Sequence, residues 1–143
     1  MPASFQTGRS LRFNLAHQRT ENGKRRMKGD DIAERLLEFA VAVLQVTTRL
    51  PANVPGRHLA SQLIRSGTAG GAHYEEARGA ESRADFVHKI RLAAKEVRES
   101  RYWLNIIQRA KLVHSDLSGL LREATELAAI LAASAKTART GSK

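Results

Sequence analysis

The sequence predicts an all-α protein, an antiparallel up-down-up-down four-helix bundle. Apolar residues recur at spacings of three and four in four separate segments. Short stretches with Pro, Gly or capping residues separate these segments. No segment alternates apolar and polar residues as a half-buried strand does. Four amphipathic helices with short connections are typical of such a bundle.

The first helix is predicted to begin at Asp30 and Asp31, because carboxylates stabilise the positive end of a helix dipole. It is predicted to end at Leu50, before Pro51. Its apolar side is formed by Ile32, Leu36, Phe39, Ala40, Val43, Val46 and Leu50. The second helix is predicted over 57–78, with Gly79 as its stop signal.

The second helix contains the run Ser66-Gly67-Thr68-Ala69-Gly70-Gly71. A glycine inside a helix lowers the stability of the helix by about 1 kcal/mol relative to alanine. A run with three glycines therefore indicates a structural or functional role. We expect the close approach of a neighbouring helix. A phosphate-binding loop is the alternative, but no Gly-Lys-Ser/Thr follows the run and no strand precedes it.

The third helix is predicted from a capping box at Ser82 and Asp85 to about Leu112. Its bundle seam would consist of Ile90, Ala93, Val97, Ser100, Leu104 and Ile107. Apolar residues extend beyond that seam, over an arc wider than the ~100° that one packing partner requires. The width predicts a second partner. Tyr102, Trp103, Leu92 and Ile106 are therefore candidates for an interface between subunits, since Trp and Tyr are enriched at such contacts. The alternative is that the aromatic side chains lie at the margin of a single bundle.

The opposite side of the third helix is cationic, with Arg91, Lys95, Arg98, Arg101 and Arg109. These long side chains are candidates for binding nucleic acid through its phosphates, without a base-reading motif. A simple solvated face is the alternative.

Two carboxylates, Glu96 and Glu99, lie on the apolar side of the same helix. A buried charge must be paired, and Arg65 is the predicted partner in a structural ion pair. Acid/base chemistry or metal binding is the alternative for this pair.

The fourth helix is predicted to be capped by Ser115 or Asp116 and to fray from Ala132. The net charge of +10 lies mostly outside the predicted bundle, since residues 1–29 carry +6 and residues 134–143 carry +3. We therefore predict a disordered basic extension (1–29), a bundle (30–133) and a flexible basic tail (134–143). Alternatively, Met27 is the true start.

Several classes of function are not supported by the sequence. There is no cysteine, and the five histidines show no metal-binding spacing. No catalytic set of residues is recognisable, and we predict no enzyme, metal or cofactor. No apolar run approaches the ~20 residues of a membrane span, which favours a soluble cytoplasmic protein. The excess of basic residues favours a polyanion as partner.

One set of residues between Leu59 and Leu104 carries a resemblance to a known family. It consists of Gln62 to Thr68, Gly71-Ala72, Glu75, Ala77, Ser82, Ala84-Asp85-Phe86, His88-Lys89, Ala94-Lys95-Glu96, Glu99 and Tyr102-Trp103-Leu104. In these residues and their spacing the sequence resembles the bacterial 23S rRNA intervening-sequence proteins. The resemblance implies a four-helix bundle that assembles as a ring-like homo-oligomer, typically a pentamer. A structurally similar family, the accessory proteins of diversity-generating retroelements, consists of basic pentamers that bind nucleic acid and a reverse transcriptase.

Two functions follow as hypotheses. The first is a non-enzymatic, homo-oligomeric protein that binds nucleic acid, in particular structured RNA. The second is a protein-interaction scaffold, for example an accessory subunit of a reverse transcriptase or another mobile-element enzyme. A hydrolase that uses Glu96 and Glu99 is a third, less favoured hypothesis.

Overall fold

The computed structural model describes residues 25–141, which form four α-helices and no strand. These are α1 (Asp30–Thr47), α2 (Val54–Arg78), α3 (Arg83–Arg109) and α4 (Ser118–Thr140). The predicted all-α, four-helix fold is confirmed. Each helix packs against the next along the chain, and α1 also touches α4 more lightly.

Contacts between two neighbouring helices show the direction in which each helix runs. Residues late in one helix touch residues early in the next. Gly67 of α2 lies against Val43 of α1, whereas Tyr74, further along α2, donates a hydrogen bond to the carbonyl of Gly29, just before α1 begins. The same reversal relates α2 to α3, through the pairs Ser66–Ser100 and Glu76–Lys89. α1 and α2 therefore pack antiparallel, and so do α2 and α3.

All four helices contribute fully buried side chains to one core. The largest are Leu36, Phe39 and Val43 from α1, Leu63 from α2, Ile90, Val97, Leu104 and Ile107 from α3, and Leu127 and Leu131 from α4. Two hydroxyl groups are buried with them, and Ser100 Oγ lies 2.9 Å from both Ser66 Oγ and the carbonyl oxygen of Glu96. These hydrogen bonds satisfy polar groups that would be costly to leave unpaired.

The glycines of α2 permit close approach of helices on two sides. A Cβ atom on Gly67 would lie 2.5 Å from Val43 Cγ1, and one on Gly70 would lie 2.8 Å from Val97 Cγ2. A Cβ atom on Gly71 would meet Leu36 Cβ at an ordinary 3.5 Å. The prediction that this run serves helix packing is confirmed.

Local capping explains where the helices begin and end. Ser82 Oγ accepts a 3.0 Å hydrogen bond from the backbone N–H of Asp85, as predicted. α2 begins at Val54 instead of at 57, because the Asn53 side chain accepts a hydrogen bond from the N–H of Gly56 and caps the helix. α4 begins at Ser118, whose N–H donates to Asp116 Oδ1 at 2.9 Å.

The predicted fraying of the fourth helix from Ala132 is wrong, since α4 continues to Thr140. Ala135 is buried and Ala138 packs partly buried against the core, so tertiary contacts hold this end. At the other end, residues 25–29 of the predicted disordered extension are also described, and Gly29 contacts Tyr74. The rest of that prediction, residues 1–24, and residues 142–143 lie outside the described residues.

Candidate nucleic-acid interface

A groove of about 720 Å³ lies between α3 and α4. We call it the basic groove, because six of its lining residues are cations: Arg91, Lys95, Arg98 and Arg101 from α3, and Lys136 and Arg139 from α4. Tyr102, the carboxylate Glu99 and three alanines complete its lining. The groove therefore gathers a net positive charge from two helices.

Helical periodicity and small residues explain why this groove exists. Arg91, Lys95, Arg98 and Tyr102 follow one another at spacings of four, three and four, which puts them on one face of α3. Three alanines, Ala94, Ala132 and Ala135, also line the groove, and we call them its alanine floor. Their side chains are too short to fill the space, so the groove stays open between longer cations.

None of the six groove cations forms a salt bridge within residues 25–141; Arg101 instead donates a 3.2 Å hydrogen bond to Thr125 Oγ1. Other arginines of the bundle are paired: Arg35 with Glu123 and Glu126, Arg65 with Glu96 and Glu99, and Arg78 with Asp30 and Glu75. A cluster of uncompensated like charges does not stabilise a fold. Its geometry suits an anion supplied from outside the bundle.

Arg65 holds the two carboxylates of α3. One guanidinium nitrogen donates to Glu96 Oε2 at 3.1 Å, and another donates to Glu99 Oε1. Glu99 Oε1 also accepts a 3.3 Å hydrogen bond from Trp103 Nε1. The hydrogen bond from Arg65, helped by that from Trp103, lowers the pKa of Glu99 below its usual value. Glu99 is therefore ionised at neutral pH, and Arg65 offsets its negative charge at the edge of the groove.

The structure brings together four of the five cations predicted to bind nucleic acid. Arg109, the fifth, is exposed and does not line the groove. It lies about 12 Å beyond Arg101 along α3, at 1.5 Å per residue. Its part in binding stays a prediction.

The predicted interface residues differ in exposure. Tyr102 is 60% exposed and lines the groove, whereas Trp103 and Ile106 pack partly buried against the core. Leu92 is also partly buried. α3 packs against both α2 and α4 within one chain, and this accounts for the width of its apolar arc.

Two features of the surface were not predicted from the sequence. Lys136 and Arg139 fall in the predicted tail, although Leu131, Ala135 and Ala138 continue the apolar spacing and could have extended the helix. The second feature is a set of exposed apolar side chains that we call the apolar stripe: Leu37 (59% exposed), Val41 (42%) and Leu44 (41%) on α1, and Ile64 (40%) on α2. Leu37, Val41 and Leu44 do not fall on the buried face of α1. The helical period of the sequence could therefore have indicated that they are exposed.

Two further properties bear on the class of protein. In the described part of the chain, no three His, Asp or Glu side chains cluster so that they could hold a metal ion. No helix there is both long enough and apolar enough to span a lipid bilayer.

Comparison with known proteins confirms the resemblance seen in the sequence. Residues 30–133 match the family model described as 23S rRNA-intervening sequence protein. No curated protein matches the chain significantly. A crystal structure of a protein of unknown function from the S23 ribosomal protein family of Bacteroides thetaiotaomicron VPI-5482 is similar, with 33% sequence identity and a TM-score of 0.68. That match covers 78% of this chain and 100% of the other. The chain thus belongs to the 23S rRNA-intervening sequence protein family.

Proposed function

We propose that this protein is a non-enzymatic, homo-oligomeric protein that binds structured RNA through the phosphates. The observation that carries the proposal is the basic groove, where six cations from two helices surround one space without forming a salt bridge in the described residues. Lys and Arg bind phosphate oxygens by charge-assisted hydrogen bonds. An RNA strand supplies such oxygens at regular intervals, which suits cations distributed along two helices.

The groove is expected to tolerate different sequences. Its lining contains neither Asn nor Gln, the side chains that recognise adenine by paired hydrogen bonds. Its cations sit on long, flexible stems, and such contacts fix the position of a nucleic acid more than they read its bases. Binding should therefore depend on charge and shape.

We expect the full chain to bind a hairpin RNA with an affinity that falls steeply as salt rises. Phosphate contacts release condensed counterions, with a slope of roughly −0.7 to −0.9 in log–log form for each contact. Four to six contacts in the groove predict a slope of about −3 to −5. Fluorescence anisotropy at a series of salt concentrations measures it. The proposal would be wrong if binding were undetectable at low salt, or if the affinity did not change with salt concentration.

The non-enzymatic part of the proposal is supported by the arrangement of the paired carboxylates. Glu96 and Glu99 are both engaged by Arg65, and Glu99 also accepts a hydrogen bond from Trp103. A general acid needs a raised pKa, whereas that of Glu99 is lowered. The geometry suits structural pairing between α2 and α3 better than hydrolysis.

Self-association is supported by the apolar stripe. Leu37, Val41 and Leu44 are spaced by four and three residues, so they share one face of α1. Contiguous exposed apolar surface marks interaction sites. The basic groove is unsuited to contact between copies, since like charges repel. The uncharged stripe carries no such penalty, and a second copy of the chain is the occupant we propose. A ring of copies would repeat the groove and increase the avidity for RNA.

Replacing Leu37 and Val41 by Glu should reduce the oligomer to monomers, because two charges would then be buried at each contact. Light scattering of the nuclease-treated full chain measures the mass. Ala133→Glu with Thr137→Glu is the control, since this exposed pair on α4 has the same spacing. A monomeric wild-type protein would contradict self-association. If that monomer captured a different protein in a stoichiometric complex, it would favour the alternative of an accessory subunit, for example of a reverse transcriptase.

A further inference from the structure

Tyr102 is the most exposed aromatic side chain among residues 25–141. Among the Phe, Tyr and Trp side chains of residues 25–141, Phe39 and Tyr74 are buried, and Phe86 and Trp103 are partly buried. Of these five described residues, Tyr102 alone is exposed, with 60% of its surface accessible. It also lines the basic groove. An exposed ring is therefore placed beside the cations.

The ring of Tyr102 is supported from one side. Its centroid lies 5.1 Å from that of Trp103, with an angle of 65° between the ring planes. Trp103 is held in turn by the hydrogen bond from its Nε1 to Glu99 and by an edge contact with His58 at 6.1 Å. Such an edge-on pair is a favourable aromatic geometry. Trp103 thus supports the ring of Tyr102 from one side, which would lower the cost of ordering that ring on binding.

We infer that the basic groove binds unpaired nucleotides, with one base stacked on Tyr102 and the adjacent phosphates on the cations of α3. This inference rests on the proposed function and specifies the form of RNA that the groove accepts. Inside a double helix the faces of each base are covered by its neighbours, so away from duplex ends a base must be unpaired to stack on a protein ring.

The dimensions of the groove agree with this assignment. Arg98 and Lys95 precede Tyr102 by four and seven residues, or roughly 6 Å and 10 Å along the helix. Both distances are within reach of a phosphate next to a stacked base. The volume of about 720 Å³ is that of a site for one small molecule, in the ~300–1,000 Å³ range. It has room for part of a single strand, and its alanine floor leaves an apolar surface for a base.

The test compares a 12-nucleotide oligouridine with an RNA duplex of the same strand length, each labelled for anisotropy and bound by the full chain. The wild-type protein should bind the single strand at least about tenfold more tightly than the duplex. Tyr102→Ala should weaken single-strand binding about tenfold, the usual scale of one stacked base, and change duplex binding less than about twofold. Tyr102→Phe, which retains the ring, should behave as the wild type.

A second variant tests the groove without changing any charge. Ala132→Leu would place a larger side chain on the groove floor and should weaken single-strand binding. Ala133→Leu is its matched control, because Ala133 is exposed on the same helix but does not line the groove. Trp103 is the single tryptophan of the chain and lies beside Tyr102, so its fluorescence should change on binding in the control and respond less in Ala132→Leu.

The outcomes separate the inference from the proposed function. If neither ligand binds in a salt-dependent way, the proposed function fails. If both bind equally, or if Tyr102→Ala weakens both to the same extent or neither, RNA binding stands and the inference is overturned. Thermal melting of each variant checks that the bundle is intact, as expected for substitutions at the exposed residues 102 and 132.

Discussion

Replacing Arg91 and Arg98 by Glu should lower the affinity of the full chain for hairpin RNA at least about 100-fold at low salt. A unit charge 4 Å from a phosphate contributes about 1 kcal/mol in water, and reversal turns that attraction into repulsion. Two such positions amount to roughly 4 kcal/mol before screening, and salt reduces this value. The salt slope should also become shallower by about 2, one for each phosphate that the variant no longer binds. Anisotropy titrations over a salt series measure both quantities.

The matched control is Arg57→Glu with Arg122→Glu. Both residues are exposed and lie outside the groove, and the change in net charge is the same. This pair should lower affinity less than about tenfold, through the general field of the protein. Equal losses in the two variants would show that net charge, and not the groove, determines binding. The groove variant should melt at the same temperature as the wild type or higher, because two mutually repelling cations are removed.

Replacing Gly67 by Ala should destabilise the bundle, whereas replacing Gly71 by Ala should not. The new Cβ atom at 67 would lie 2.5 Å from Val43 Cγ1, and Val43 is fully buried between helices. Such overpacking costs about 1–3 kcal/mol, of which the higher helix propensity of alanine returns about 1 kcal/mol. At Gly71 the contact with Leu36 is an ordinary 3.5 Å, so only the gain of up to about 1 kcal/mol remains.

Urea unfolding followed by circular dichroism measures the difference in the free energy of unfolding, which we expect to be about 1–3 kcal/mol between the two variants. Protein concentration must be held constant, because self-association would add to the apparent stability. Equal stability of the two variants would mean that α1 and α2 can move apart without cost at this point. The glycine at 67 would then have no packing role.

The helices and most of the core could be predicted from the sequence because a helix buries residues that recur every three or four positions. Leu36, Phe39 and Val43 on α1 and Ile90, Val97 and Leu104 on α3 follow this rule and are buried as expected. The pairing of Arg65 with Glu96 and Glu99 could also be predicted, because a carboxylate on an apolar face needs a cation nearby. The end of α4 was mispredicted because the apolar spacing was followed only as far as Leu131, although Ala135 continues it and is buried.

The sequence predicted the α3 side of the basic groove but not its α4 side. Arg91, Lys95 and Arg98 share a face of α3 by local periodicity, and that face is evident from their spacing alone. The partners across the groove, Lys136 and Arg139, lie about 40 residues further along, and no local pattern relates the two segments.

Local patterns thus established four amphipathic helices, a cationic face on α3 and the close packing around Gly67. They could not establish which side chains of that helix remain in solvent, because this depends on how neighbouring helices are rotated and offset against it. That arrangement partly buried Trp103 and Ile106, left Tyr102 exposed and joined the cations of α3 and α4 around an alanine floor. The helices follow from contacts within one turn, whereas the groove depends on contacts between residues distant in the chain.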